Sequence, residues 1–322
     1  MKPSVWFLGN LTIDDVVLPD GSTAMGLCGG NAIYAALGAR LWQRRVGLAA
    51  RIGPDYPMAE IARVRAAGIQ LELVAVSHPS IHNWALYESV STRRFINWIG
   101  AGSHYDQSIR ADELPTDVHG ARACHLAPMP LSVQASLVAA LVDRGVPIIA
   151  LDPHEDYIGG HEEQLRRLLP SVTVFLPSRV EAQRLFGRDD PEAAIVEFAA
   201  AGPAVVAIKL GGDGSLVAIP GTLPSHVPAV AIEAIDTTGC GDAYSGGFVA
   251  AYVRGVEPVL AACHGTVSAS FTAETRGAPA VLPFDLATAR ARLDALRELV
   301  APLQAPGTVD RQVGKGASYA HG

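Results

Sequence analysis

Basic residues are scarce and form no extended run. The 322-residue chain carries 25 Lys and Arg against 32 Asp and Glu, a formal charge of −7. Such a chain is a poor ligand for nucleic acid or an anionic membrane, so both partners are set aside. Aromatic residues make up only 6%, too few for the stacking platforms that hold single-stranded bases. Cysteine is rare. Cys28, Cys124, Cys240 and Cys263 lie far apart and make no Cys-x-x-Cys, which argues against a disulfide framework or a zinc site and makes a reducing cytoplasm the expected location. Long apolar runs are missing as well. Residues 214–232 are uncharged but interrupted by Pro220, Pro224 and Pro228, whereas a membrane span needs about 20 mostly apolar residues. The apolar run ahead of Asp14 and Asp15 is short for a signal-peptide core.

Apolar residues are plentiful, at 49%. At about 100–200 residues per domain, the length suits one large domain or two unequal ones. Short β-branched runs predict strands at Val5–Leu8, Val46–Ala50, Ala123–Leu126, Ile148–Leu151, Val172–Leu176, Val205–Lys209 and Ser215–Ile219. Between and after them lie Ala- and Leu-rich helical stretches, among them Asn31–Leu41, Ser132–Arg144, Pro191–Ala201, Asp242–Arg254 and Pro258–Ala273. Alternation of this kind predicts an α/β fold with a mainly parallel sheet covered on both faces. Two segments break it. Residues 15–27 read as strand, Pro-Asp-Gly turn, strand, and residues 81–99 read as a second hairpin. Together, at about 12–28 and 80–100, they would make a small β lid; the alternative is two surface decorations. The segment 305–322 has little apolar content and is expected to be a flexible tail to a domain of residues 1–304.

The most informative string is Asp236-Thr237-Thr238-Gly239-Cys240-Gly241-Asp242, set just before an apolar helix. A glycine turn at a helix start directs backbone N–H groups at one spot and adds the positive end of the helix dipole, which makes a seat for a phosphoryl group. A carboxylate at Asp242 would repel a phosphate that was merely held there. It makes chemical sense as a base for an attacking hydroxyl, although Asp242 also fits as a simple first-turn acid.

This string closely resembles the C-terminal signature of the ribokinase-like, or PfkB, carbohydrate kinases, Asp-Thr-x-Gly-Ala-Gly-Asp, with Cys240 in place of Ala. The resemblance implies a ribokinase-like three-layer α/β/α fold. It implies an anion hole from Gly239, Cys240 and Gly241, with Asp242 as catalytic base. Asp236 and Thr238 would lie near a monovalent-cation loop, so K+ is a candidate ion, and Thr238 would also border the nucleotide. Gly29-Gly30-Asn31 resembles the family's sugar-pocket signature, and Gly9-Asn10-Leu11-Thr12-Ile13-Asp14 its first strand and exit. The implied acceptor site is therefore Asp14, Thr12, Gly29, Gly30 and Asn31, with Asp15 the weaker choice of acid. Lys209, Gly211 and Gly214 are similar to the nucleotide-side strand and turn. Ser268–Glu274 with Gly277 resembles the adenine and cation loop. Glu181 would organise Mg2+ through water, with Ser178 where the family often has Asn; His154 likewise follows Asp152-Pro153 in place of Asn.

The implied activity is transfer of the γ-phosphoryl of ATP, with Mg2+, to a hydroxyl of a sugar, polyol or nucleoside. The alternatives are a nucleoside kinase, for which Trp84, Trp98 and Tyr34 are possible stacking residues, and a catalytically silent sugar or nucleotide sensor. A homodimer through the lid is a further expectation. A dehydrogenase is disfavoured, since no Gly-x-Gly-x-x-Gly follows the first strand.

Overall fold

The β-branched runs pair in parallel because the intervening chain returns through helices. The computed structural model describes residues 2–89, 92–97 and 103–304. In chain order the strands of the main sheet are β1 (Val5–Gly9), β4 (Val46–Ile52), β5 (Ile69–Ala75), β8 (Ala123–Leu126), β9 (Ile148–Leu151), β10 (Val174–Phe175), β11 (Val205–Lys209), β12 (Ser215–Ala218) and β13 (Ser225–Val227). Their spatial order is β13-β12-β11-β10-β9-β8-β1-β4-β5. Every neighbouring pair from β11 through β5 is parallel, while β12 and β13 are antiparallel. The smaller sheet has the order β3-β2-β6-β7, from β2 (Thr12–Val17), β3 (Thr23–Gly29), β6 (Ile81–Ser89) and β7 (Thr92–Asn97). Each hairpin is antiparallel, and the seam joining them, β2 against β6, is parallel.

Helices cover both faces of the main sheet. One apolar core joins the sheet to α1 (Asn31–Arg40), α2 (Met58–Ala66), α8 (Cys240–Tyr252), α9 (Pro258–Ala273) and α10 (Leu286–Gln304). A second core lies on the other face under α4 (Leu131–Asp143), α5 (Glu162–Leu168), α6 (Arg179–Phe186) and α7 (Pro191–Ala200), with the short α3 (His104–Gln107) nearby. Alternation along β1 divides the cores. Val5 and Phe7 enter the first, and Trp6 and Leu8 the second. No helix among the described residues is long and apolar enough to cross a membrane.

The predicted elements are present with small shifts at their ends. The run expected at Val172–Leu176 shortens to Val174–Phe175. Two strands escaped the reading. Ile69–Ala75 carries Gln70 and Glu72 as an edge strand, and Ser225–Val227 is cut short before Pro228. The segment Ser268–Glu274, which resembles the family's adenine and cation loop, closes α9, in line with the helix expected at Pro258–Ala273. Its small and apolar residues continue a helix that Glu257 caps and Pro258 opens. The expected tail 305–322, and Trp98, lie outside the described residues.

Candidate active site

Gly239 ends the loop before α8 in a left-handed conformation, φ 74°, where a side chain is strained. A Cβ there would also fall 2.3 Å from Cγ of Tyr34, whose ring lies beneath the turn. Glycine is thus required twice at this position. The turn is braced from the N-terminal side. Asp236 Oδ1 accepts from the backbone N–H of Thr238 at 2.8 Å and from the Tyr87 hydroxyl at 2.5 Å, and that hydroxyl is 3.0 Å from Thr238 Oγ1. Cys240, Gly241 and Asp242 follow as the first turn of α8, all partly exposed. A Cβ on Gly241 would be 3.6 Å from Lys209 Nζ, which brings the ammonium beside the helix start.

Beneath that start lies a buried charged cluster. Asp152, at the carboxyl end of β9, is wholly buried. Its Oδ2 accepts from Lys209 Nζ at 2.5 Å and from Ser245 Oγ at 2.8 Å, whereas its Oδ1 is buried with no hydrogen-bond partner. Burial alone would lower the Lys209 pKa, but Asp152, Glu181 and Asp242 together raise it, so the ammonium is retained. Glu181 is pushed up to about 7, first by burial and then by the Asp152 charge. Asp152 alone is paired to the ammonium, Glu181 acts on it only as a nearby charge, and Oδ1 of Asp152 is left over. Oxygen donors with surplus negative charge suit a hard divalent cation such as Mg2+. Among the described residues no group of three or more His, Cys, Asp or Glu stands at metal-binding spacing. Ser178, where the family often has Asn, caps α6: its Oγ accepts from Glu181 N–H while Glu181 Oε2 accepts from Ser178 N–H.

The second carboxylate site lies on the small sheet. Asp14 is in the middle of β2, beyond the end of β1, and is buried. Its Oδ1 accepts from Thr12 Oγ1 at 2.8 Å and Asn83 Nδ2 at 3.3 Å. Burial outweighs those bonds and raises its pKa to about 6. A Cβ on Gly29 would sit 1.8 Å from Asp14 Oδ2. Gly29 thus makes room for the acid, while its carbonyl accepts from the Tyr56 hydroxyl at 2.8 Å. The neighbouring Asp15 is on the other face of the strand and accepts from Gly26 N–H at 2.7 Å, holding the hairpin.

Other expected residues have different surroundings. Asn31 starts α1, but its amide bridges Asn10 N–H and the Pro128 carbonyl, at 2.8 and 2.6 Å. It ties the ends of β1 and β8 together. Gly30 is packed against the backbone of Asn10 and Leu11. Gly211 and Gly214 form the turn from β11 into β12, with Gly211 exposed and Gly214 against the Val227 carbonyl. Gly277 is next to Leu27 of β3, on the lid side. Trp84 is on the face of β6 opposite Asn83 and so away from Asp14, whereas Tyr34 is buried with the Asp14 charge acting on its hydroxyl. Sequence reasoning missed Asn83, Tyr87 and Ser245. Asn83-x-Ala85-x-Tyr87 is a period-two pattern with polar ends, which was the available signal.

Comparison with known proteins gives the family and the fold. The pfkB family of carbohydrate kinases matches residues 17–285. A cytidine kinase of Thermococcus kodakarensis is 27% identical over 77% of this chain and 88% of its own length. Among solved structures, Arabidopsis thaliana ribokinase complexed with ribose and ATP superposes with a TM-score of 0.70 at 22% identity, covering 91% of this chain and 99% of that one. An Escherichia coli protein assigned as a ribokinase II, solved with ATP and Mg2+, has a TM-score of 0.74 at 17% identity and the same coverage.

Proposed function

The chain belongs to the pfkB family of carbohydrate kinases, and on that footing we propose that it transfers the γ-phosphoryl of ATP to a hydroxyl of a sugar or nucleoside. The observation that carries the reading is one arrangement. A left-handed glycine opens α8, Asp242 stands in its first turn, and Lys209 with a carboxylate-rich cluster lies immediately below.

Asp14 accepts hydrogen bonds from acceptor hydroxyls and fixes which one faces α8. Asp242 takes the proton from that hydroxyl as its oxygen attacks phosphorus. The N–H groups of Gly239, Cys240 and Gly241 stabilise the charge on the phosphoryl oxygens in transit. Lys209, held by Asp152 and Ser245, adds fixed positive charge beside the same spot. Glu181 and the free Oδ1 of Asp152 would hold Mg2+ through water. When bound, that ion supplies charge neutralisation on the nucleotide phosphates. Gly211 and Gly214 are proposed to border the nucleotide. Thr238 and Gly277 are proposed to border the nucleotide as well, and Asp236 with Thr238 to lie near a K+ site. The β2/β3 and β6/β7 hairpins form the lid that excludes water from the transfer.

A panel of pentoses, hexoses, ketoses and nucleosides with an ATP-consumption readout tests the reading. Acceptor-dependent ADP release is expected. Acceptor binding by calorimetry without any ADP release would instead make the chain a sensor. A nucleoside is the second reading, supported by a cytidine kinase and a nucleoside kinase among the relatives.

Outward from the lid, Met25, Trp84 and Ile96 are exposed apolar side chains, and we propose that they seat a second copy of the chain. Sedimentation of Trp84→Glu as a monomer, against a dimeric wild type, is the expected result.

A further inference from the structure

Strand β6 touches both halves of the site through one face. Asn83 Nδ2 donates to Asp14 at 3.3 Å. Two positions on is Ala85, fully buried, and two further is Tyr87, whose hydroxyl donates to Asp236 at 2.5 Å and lies 3.0 Å from Thr238 Oγ1. Residues spaced by two share a strand face, so a single straight segment spans from the acceptor carboxylate to the loop that leads into Gly239. The loop is also anchored through its backbone, where Ile235 and Asp236 N–H both donate to the Ala273 carbonyl, at 2.7 and 3.2 Å. The ring of Tyr87 is itself clamped, with Val16 and Ala85 around it and Leu18 and Leu27 packed on them. A tyrosine buried this way needs a partner for its hydroxyl, and the bond it makes is to a carboxylate, about twice as strong as a neutral one.

We propose that Tyr87 is a positioning residue: it fixes the Asp236–Thr238 loop to the lid strand, so that the phosphoryl seat at Gly239–Gly241 and the acceptor carboxylate Asp14 are held in register by β6. Tyr87 touches no reacting atom. It acts through Asp236, which holds the N–H of Thr238 and so sets the entry to the turn. A lid tied to the turn also makes the completeness of the anion seat depend on the lid's position. The inference rests on the kinase reading for its kinetic consequence, but its structural part does not.

The test is Tyr87→Phe, which keeps the ring in its apolar pocket and removes the hydroxyl. Val16→Ala serves as a control that loosens the same pocket while leaving the hydroxyl. Hydrogen–deuterium exchange of the substrate-free protein needs no acceptor. Loss of a charged hydrogen bond should speed exchange of the amides from Thr237 to Asp242 by roughly tenfold or more in Tyr87→Phe, and leave them unchanged in Val16→Ala. Unchanged exchange over residues 237–242 in Tyr87→Phe, or equal acceleration in both variants, overturns the proposal. With an acceptor from the panel, kcat of Tyr87→Phe should fall roughly tenfold with KM for Mg·ATP unaltered. A rise in KM for Mg·ATP at constant kcat would also overturn it. If the panel yields no acceptor, the exchange result still decides the structural claim, so failure of the kinase reading is distinguishable.

Discussion

At the scale of single residues, environment separates acids that composition treats alike. Asp14 and Asp15 are adjacent, yet one is buried with its pKa raised to about 6 and the other secures a backbone N–H. If Asp14 must be ionised to grip a hydroxyl, kcat/KM for the acceptor falls as pH drops through about 6. Asp14→Asn should lower kcat/KM throughout and remove that limb, measurable in a pH–rate profile. Asp242→Asn is expected to lower kcat by about 10²–10⁴ with ATP binding retained; near wild-type turnover would remove it as the base. Glu181→Gln should raise the Mg2+ concentration needed for half-maximal rate, and an unshifted titration would count against its role. The motif made Asp242 legible because its spacing from two glycines is fixed by the chain itself. Asn31 was equally legible, but the bridge its amide makes between two strands distant in sequence was not.

At the scale of elements, the start of α8 carries the site. Its packing on α1 is close, with Ala35 against Gly246 and Ala243 against Gly38. That contact fixes the ring of Tyr34 below Gly239. Gly239→Ala would combine an unfavourable φ with a clash on that ring. It should cost about 1–2 kcal/mol from the backbone alone, before any contribution from the ring contact. Denaturant melts together with kcat check this, and a variant of unchanged stability and rate would show that the turn adapts. Elements with uninterrupted apolar patterns were readable to within a residue or two. The edge strand Ile69–Ala75 was not, because half of its side chains meet solvent and its pattern blends into the surrounding loops. The lid hairpins were readable from the Pro19-Asp20-Gly21 turn and from alternation. Their pairing through β2 and β6 was not, because a parallel seam between distant hairpins leaves no local trace.

Across the whole molecule, buried titratable groups set the response to acid. His125 lies in the centre of the main sheet with both ring nitrogens unpartnered, and burial followed by the Lys209 charge lowers its pKa to about 3. His154 is lowered to about 4, by burial and then by His104. Their folded values lie below the ordinary 6.5. Their contribution to stability is therefore complete above about pH 6.5 and is lost as pH falls through 4 and 3. Asp14 and Glu181, raised to about 6 and about 7, act in the opposite sense and favour the folded state more as pH falls from 7. His125→Leu removes an unsatisfied buried polar ring. It should raise the thermal midpoint at pH 7 and make its decline toward pH 4 shallower. An unchanged acid limb would show that His125 is not the group responsible.

The amino-acid order alone determined the layered α/β architecture, the two hairpins and the glycine turn before α8. These depend on periodicity and on residues near one another along the chain, where φ preferences and hydrophobic alternation act directly. The fold alone decided that Asp152 and Lys209 form one buried pair, that Gly29 yields its space to Asp14, and that Tyr87 reaches Asp236. Asp152 and Lys209 are 57 residues apart and Tyr87 and Asp236 are 149 apart, and contacts at such separations exist only once strand order and helix packing have closed the loops between them.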